Sequence, residues 1–257
     1  MQASIQVSSD PTVQYLLRLG DTCLIHAQRL VEWSGHAPIL EEDIALSNIA
    51  LDTLGQARAV LTHAGQLHDT PFDEDQLAFL RDERDYRNLT LVELPRGDFA
   101  VAMVRNLMLS TFLKLLWQRL LASSDTELAG IAEKAIKEAR YHQEHAADWV
   151  IRLGDGTEES RQRTVKALQK LWPYAAEMFN ADAVDEHAAQ SGLGPRWSDL
   201  REEWQTEMTT VLAEAGLDAP AESSFLSTGK LGRHSEHMGY MLAEMQHLQR
   251  SFPGAVW

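Results

Sequence analysis

Ten histidines and 38 acidic residues are the raw material for a metal centre, and their spacing decides whether they make one. A carboxylate-bridged di-iron centre in a helical bundle takes a Glu from each of two helices and a Glu-x-x-His from the other two. The i, i+3 spacing puts carboxylate and imidazole on one face, within reach of the same pair of ions. Of all the histidines, only His247 has a Glu three residues before it, in Glu244-Met245-Gln246-His247. One such pair is half of what the centre needs.

Two other segments have the shape of that motif with its ligands replaced. Thr53 and Gln56 stand at the i, i+3 spacing in one helical stretch, and Ala139 and His142 in another. Three of these four positions carry groups that bind iron weakly or not at all, which makes the site degenerate, with no catalytic or cofactor-binding residue assigned. His142, on an alanine-lined seam, reads first as a hydrogen-bonded core histidine. Asp52 beside it is placed to pair with a buried Arg or Lys, an ionic plug where metals would sit.

The remaining candidates are weaker. His234, Glu236 and His237 could bind zinc with Glu244, although capping a helix or lining an interface is the plainer reading. Ser227-Thr228-Gly229-Lys230 lacks the first glycine of a phosphate-binding loop, which leaves Lys230 and Arg233 as phosphate contacts or as solvated or inter-subunit charges. Cys23, the only cysteine, lies on an apolar seam and reads as a small core residue. Trp197 and Trp204 either anchor a partner or pack on the bundle. In the first case, removing both weakens a complex without unfolding the chain.

These residues need long helices to position them. Asp10 caps a helix that starts at Pro11 and runs to about Trp33, where Ser34-Gly35-His36-Ala37-Pro38 stops it. Residues 1–11 form a polar, flexible lead-in. A second helix opens on Glu41, Glu42 and Asp43, read as charge at a helix N-terminus. Its seam is Leu46, Ile49, Thr53, Gln56, Val60, His63 and Leu67. A shorter helix over Glu74–Asn88 is expected to present its Arg and Asp residues to solvent. Asp98 caps a third long helix to about Ala122, and Asp125 caps a fourth that ends at Gly154. The fourth has the seam Leu128, Ala132, Ala135, Ala139, His142, Ala146, Trp149 and Leu153, the 3–4 alternation of a left-handed bundle. A fifth helix over Glu158–Gln190 should kink near Leu171, ahead of Pro173. A helix after Pro195, a loop near 216–232 and a last helix through Arg250 complete the chain. The reading is all-α: one domain over residues 1–257, a four-helix core with additional C-terminal helices.

Composition narrows the function classes. Lys and Arg total 23 against 38 Asp and Glu, a formal charge of −15 that opposes contact with nucleic acid or an anionic membrane. A single cysteine excludes an intrachain disulfide and multi-cysteine metal sites. The N-terminus lacks the pattern of a secretory signal, and no apolar run approaches the ~20 residues of a membrane span, so the expectation is a cytoplasmic protein.

Five segments carry a resemblance: LRLGDTCLIHAQRLVEWSGHAP (17–38), IALDTLGQAR (49–58), FLRDERDYRNLTLVELPRGDFA (79–100), KAIKEARYH (134–142) and MLAEMQHLQRSFPGAVW (241–257). They resemble the C subunits of bacterial phenylacetyl-CoA epoxidases, from about Tyr15 to Trp257. The resemblance implies a ferritin-like subunit that pairs with and supports a di-iron catalytic A subunit, alongside a small bridging B subunit and a reductase. The assembly uses NADPH and O₂ to epoxidise the aromatic ring of phenylacetyl-CoA. Against the catalytic sister's pattern, Glu and His on the second core helix become Thr53 and Gln56. On the fourth, Glu becomes Ala139 while His is kept as His142, and the first-helix ligand falls near Cys23. No cofactor is then expected in this chain, the di-iron centre belongs to the partner, and phenylacetyl-CoA contact is confined to the subunit boundary. Two rival readings are a metal enzyme built on Glu244, His247, His142 and Asp52, and a stand-alone helical protein with a small apolar ligand in its core.

Overall fold

The computed structural model describes residues 4–255, and among them there is no strand. Four long helices form the core: α1 (Pro11–Val31), α2 (Leu40–Gln66), α5 (Phe99–Leu120) and α6 (Thr126–Gly154). Between and after them lie α3 (Glu74–Phe79), α4 (Thr90–Glu93), α7 (Glu158–Leu171), α8 (Ala175–Met178), α9 (Ala183–Ser191), α10 (Arg201–Glu214), α11 (Glu236–Met245) and α12 (His247–Ser251). This is the ferritin-like bundle with additional C-terminal helices. Short loops fold α1 on α2 and α5 on α6, and the long segment between α2 and α5 crosses from one pair to the other.

The local signals operate as expected. Asp10 accepts the amides of Thr12 and Val13, Asp98 that of Val101, and Asp125 that of Leu128. α1 and α2 approach so closely that a Cβ on Gly20 would stand 2.8 Å from a Leu61 methyl. Ser4 Oγ donates to Asp85 at 2.6 Å, and the Ile5 amide donates to the Leu80 carbonyl at 3.1 Å, so the lead-in is tied down rather than flexible from residue 4 onward. Residues 1–3 lie outside the described residues.

α1 and α5 are buried nearly all round. Every residue of α1 from Tyr15 to Ala27 is buried, Arg18, Asp21 and His26 included. α5 is long and apolar enough to cross a membrane, contrary to the expectation of no such segment. It is instead the core helix, with 89% of its most apolar window inside the protein.

Three helices differ from expectation. The segment after Glu74 stops being helical at Phe79, and its Arg81 turns inward to Asp21 in place of forming a solvated face. The helix expected over Glu158–Gln190 is broken, not kinked. α7 ends at Leu171, a 3-10 turn carries Pro173, and α9 restarts where Asp182 forms a capping box with Asp185. The last helix is interrupted at Gln246, whose side-chain amide donates to the carbonyls of Ala78 and Arg81 and to the Tyr86 hydroxyl.

Trp197 and Trp204 are not partner anchors. Trp197 is 0% exposed and meets Tyr15 and Phe112 edge to face, and Trp204 is 2% exposed, packs on Trp172 and Phe179, and donates its indole N–H to the Met108 carbonyl at 2.8 Å. They fasten the C-terminal helices to α1 and α5, because large aromatics bury most area at helix junctions. Trp197→Ala is therefore expected to cost about 3–5 kcal/mol of stability, measured by urea denaturation. A loss below about 1 kcal/mol would contradict this packing.

Candidate functional site

The centre of the bundle, where α1, α2, α5 and α6 face one another, is where a di-iron protein gathers its carboxylates. Here every sequence-predicted position is committed to another role. Thr53 donates its hydroxyl to the Ile49 carbonyl at 2.7 Å, a bond within its own helix. The Gln56 amide is used at both ends: its Nε2 donates to Glu138 at 2.8 Å, and its Oε1 accepts the Trp117 indole N–H at 3.2 Å. Ala139 contributes a buried methyl group. His142 bonds through Nε2 to Asp52 at 3.1 Å, across the gap between α2 and α6. Burial lowers the His142 pKa, partly offset by Asp52. The expected partner of Asp52 was a buried Arg or Lys; it is the histidine instead, and Asp52 itself remains half-exposed.

The sequence did not show a second, parallel bridge. Glu42 is largely buried and accepts from His145 Nε2 at 2.9 Å, so its part goes beyond charge at a helix start. Glu42 and His145 are 103 residues apart in sequence, and Asp52 and His142 are 90 apart, too far for a motif search to pair them.

Two further buried groups lie on α1. Cys23 is buried, and burial together with the charge of Asp21 pushes its thiol up to about 12, which leaves it neutral. His26 on α1, which the sequence did not single out, is 4% exposed with no partner for its Nδ1. Burial, Arg105 and His142 bring its pKa down to about 3, so it is a neutral imidazole. A di-iron pair needs several carboxylates at one point. Among the described residues no three His, Cys, Asp or Glu side chains gather in a metal-binding group. The residues present do not fit the metal pair.

The other sequence candidates are dispersed. Glu244 and His247 are exposed and lie on either side of the break at Gln246, Glu244 on α11, which packs on α4, and His247 on α12, which packs on α11, away from the α2–α6 gap of His142 and Asp52. His234 points inward, bonded to Glu93 at 3.3 Å and the Tyr86 carbonyl at 3.2 Å. Burial opposes its cation, yet these bonds raise its pKa. His237 faces Glu236, and Ser235 caps α11. Lys230 is buried, with its ammonium on the Asn180 carbonyl and 5.6 Å above the Trp197 ring, so it is neither a phosphate contact nor a solvated charge. Arg233 alone of that pair is exposed.

The structure also holds a set of buried ionic clamps that the sequence did not reveal. Arg81 lies on Asp21 with both side chains fully buried. Arg18 meets Asp182 and Asp185, tying α1 to α9. Glu177 accepts from the amides of Thr90 and Lys230, both at 2.9 Å, and from the Ser227 hydroxyl at 2.7 Å. These groups hold the added helices to the bundle.

Comparison with known proteins settles the ancestry. The family described as phenylacetic acid catabolic protein matches residues 1–257. The chain belongs to that family. Within it, the C subunit of the 1,2-phenylacetyl-CoA epoxidase of Escherichia coli (strain K12) is 49% identical over 243 residues, 95% of this chain and 98% of that protein. The resemblance carried by the five segments is thereby borne out.

Proposed function

We propose that this chain is the non-catalytic C-type subunit of a cytoplasmic phenylacetyl-CoA epoxidase, which pairs with and supports a di-iron catalytic A subunit. The small B subunit and the reductase complete the assembly, and NADPH and O₂ are its co-substrates. The observation that supports this most is the filling of the bundle centre: Thr53, Gln56 and Ala139 replace ligands, and their polar atoms are bonded to groups of this chain. Iron binding falls steeply with each ligand lost, whereas the framework that carried the ligands keeps its packing. A ligand-poor copy of the bundle thus retains value as a rigid surface for an active sister. Any contact with phenylacetyl-CoA belongs to the subunit boundary, and Arg233 is the exposed cation left from the sequence candidates.

Reconstitution tests this. The chain with reductase, NADPH and O₂ is expected to form no epoxide from phenylacetyl-CoA, and turnover is expected once the catalytic subunit is added, with both chains in one peak on size exclusion. Turnover by this chain without the catalytic subunit would refute the proposal.

A further inference from the structure

α2 carries two apolar seams, and the fold uses one of them. The inner seam of Leu46, Ile49, Thr53, Gln56, Val60 and His63 is buried. On the other side of the same helix stand Leu40, Ile44, Ser47, Leu51, Leu54 and Arg58, spaced 4, 3, 4, 3, 4. Their apolar members face solvent: Leu40 is 71% exposed, Ile44 53%, Leu51 65% and Leu54 38%. Scattered exposed leucines need no explanation, but a heptad-spaced row about 27 Å long is the pattern that meets another helix by knobs-into-holes packing. A helix apolar on both faces belongs in an interior, and this chain supplies an interior on one side.

The row is a ridge with a hollow on each side. Toward α1 and α3 lies a cleft of about 390 Å³, with Leu24, Gln28, Leu54, Arg58 and Phe79 among its walls. Toward α6 lies another of about 570 Å³, floored by Gly55, Ala59, Gly130 and Ala135 and edged by Glu127, Glu133 and Glu138 around one cation, Lys134. A Cβ on Gly55 or Gly130 would meet no heavy atom within 4 Å, so this hollow is open to an incoming side chain. A ridge between two hollows fits a pair of helices straddling it, which is what the flank of a second four-helix bundle presents.

Charge selects the occupant. The ridge is bordered on its own helix by Glu41, Asp43 and Asp52, and its one cation, Arg58, is engaged by Glu74 at 2.8 Å. A second copy of this chain, itself at −15, would bring the same acids against them. A partner helix with an apolar heptad row flanked by Lys and Arg would be complementary. We infer that the outer face of α2, from Leu40 to Arg58, docks the catalytic subunit of the epoxidase through helices whose apolar row is edged with basic residues. This rests on the pairing proposed above and adds the face on which it occurs.

The test is the affinity of full-length chain for the purified catalytic subunit, by titration calorimetry, for wild type and for Ile44→Asp/Leu51→Asp. Both positions are exposed, so the variant is expected to keep the helical circular dichroism and melting temperature of wild type. Its affinity should fall about a hundredfold or more, since apolar anchors at the centre of an interface dominate its energy. Tyr240→Ser, on the exposed face of α11, serves as the control and should bind as wild type does. Equal affinity of wild type and Ile44→Asp/Leu51→Asp would overturn the docking face while leaving the pairing intact. Failure of wild type itself to bind would overturn the pairing and the face together. A wild-type homodimer that the double variant dissociates would assign the face to a second copy, against the inference.

Discussion

Asp21→Ala is expected to cost about 3–5 kcal/mol of folding stability, the penalty for leaving one member of a buried ion pair without the other. The Arg81 guanidinium is fully buried against both carboxylate oxygens of Asp21, one of them at 2.9 Å. The same guanidinium donates to the Leu77 and Asp85 carbonyls and lies 4.2 Å over the Tyr86 ring. Asp21 also accepts the Arg87 amide at 2.8 Å. Removing the carboxylate therefore strands a cation and a backbone donor in the interior of the segment that crosses from α2 to α5. The loss corresponds to a fall in melting temperature of roughly 10 °C for a chain of this size. The double variant Asp21→Ala/Arg81→Met, which removes both charges, should recover a large part of it. A melting temperature for Asp21→Ala within about 2 °C of wild type would show that the clamp does not hold the crossover.

The second large effect is a dependence on pH set by His26. In the unfolded chain its imidazole takes a proton near 6.5, whereas in the fold burial, Arg105 and His142 delay this until about 3. Between those values the unfolded state binds the extra proton, so stability is intact above 6.5 and falls as the pH drops toward 3. The gap between those two values corresponds to about 5 kcal/mol at most, at about 1.4 kcal/mol for each factor of ten in proton affinity. His26→Met removes the titrating group and leaves no bonded partner for Nδ1 to abandon. Urea denaturation at a series of pH values should then show an acid limb shallower than wild type by about 1.4 kcal/mol per unit. Identical limbs in the two proteins would contradict a neutral buried His26.

The parts of this fold that were legible are those encoded over a few residues. Asp10, Asp98 and Asp125 announce helix starts because a cap needs only the next three amides. The α6 seam from Leu128 to Ala146 is readable because a half-exposed helix must alternate. Thr53, Gln56, Ala139 and His142 could be found by their spacing alone, and the structure adds what occupies them. What escaped depends on distant partners. Arg81 looks like surface charge until Asp21, sixty residues away, is brought against it. His26 carries no signal because the polar side of α1, with Arg18, Asp21 and Thr22, is itself buried, so polarity on that helix does not mark the surface. Trp197 and Trp204 are ambiguous in sequence because the same aromatic row serves a partner or a core; Tyr15, Phe112 and Phe179, from elsewhere in the chain, decide it. The break between α8 and α9 is set by the Asp182 capping box and its clamp to Arg18, more than by Pro173.

The expectation that the proposed subunit holds no di-iron centre follows from Thr53 and Gln56 being bonded within this chain and from Ala139 offering only a methyl group. Its most direct test is the metal content of the purified chain, by plasma mass spectrometry, after expression in iron-supplemented medium and dialysis against chelator. Iron well below one equivalent per chain is the expected result. Close to two irons per chain, retained through the chelator, would contradict it.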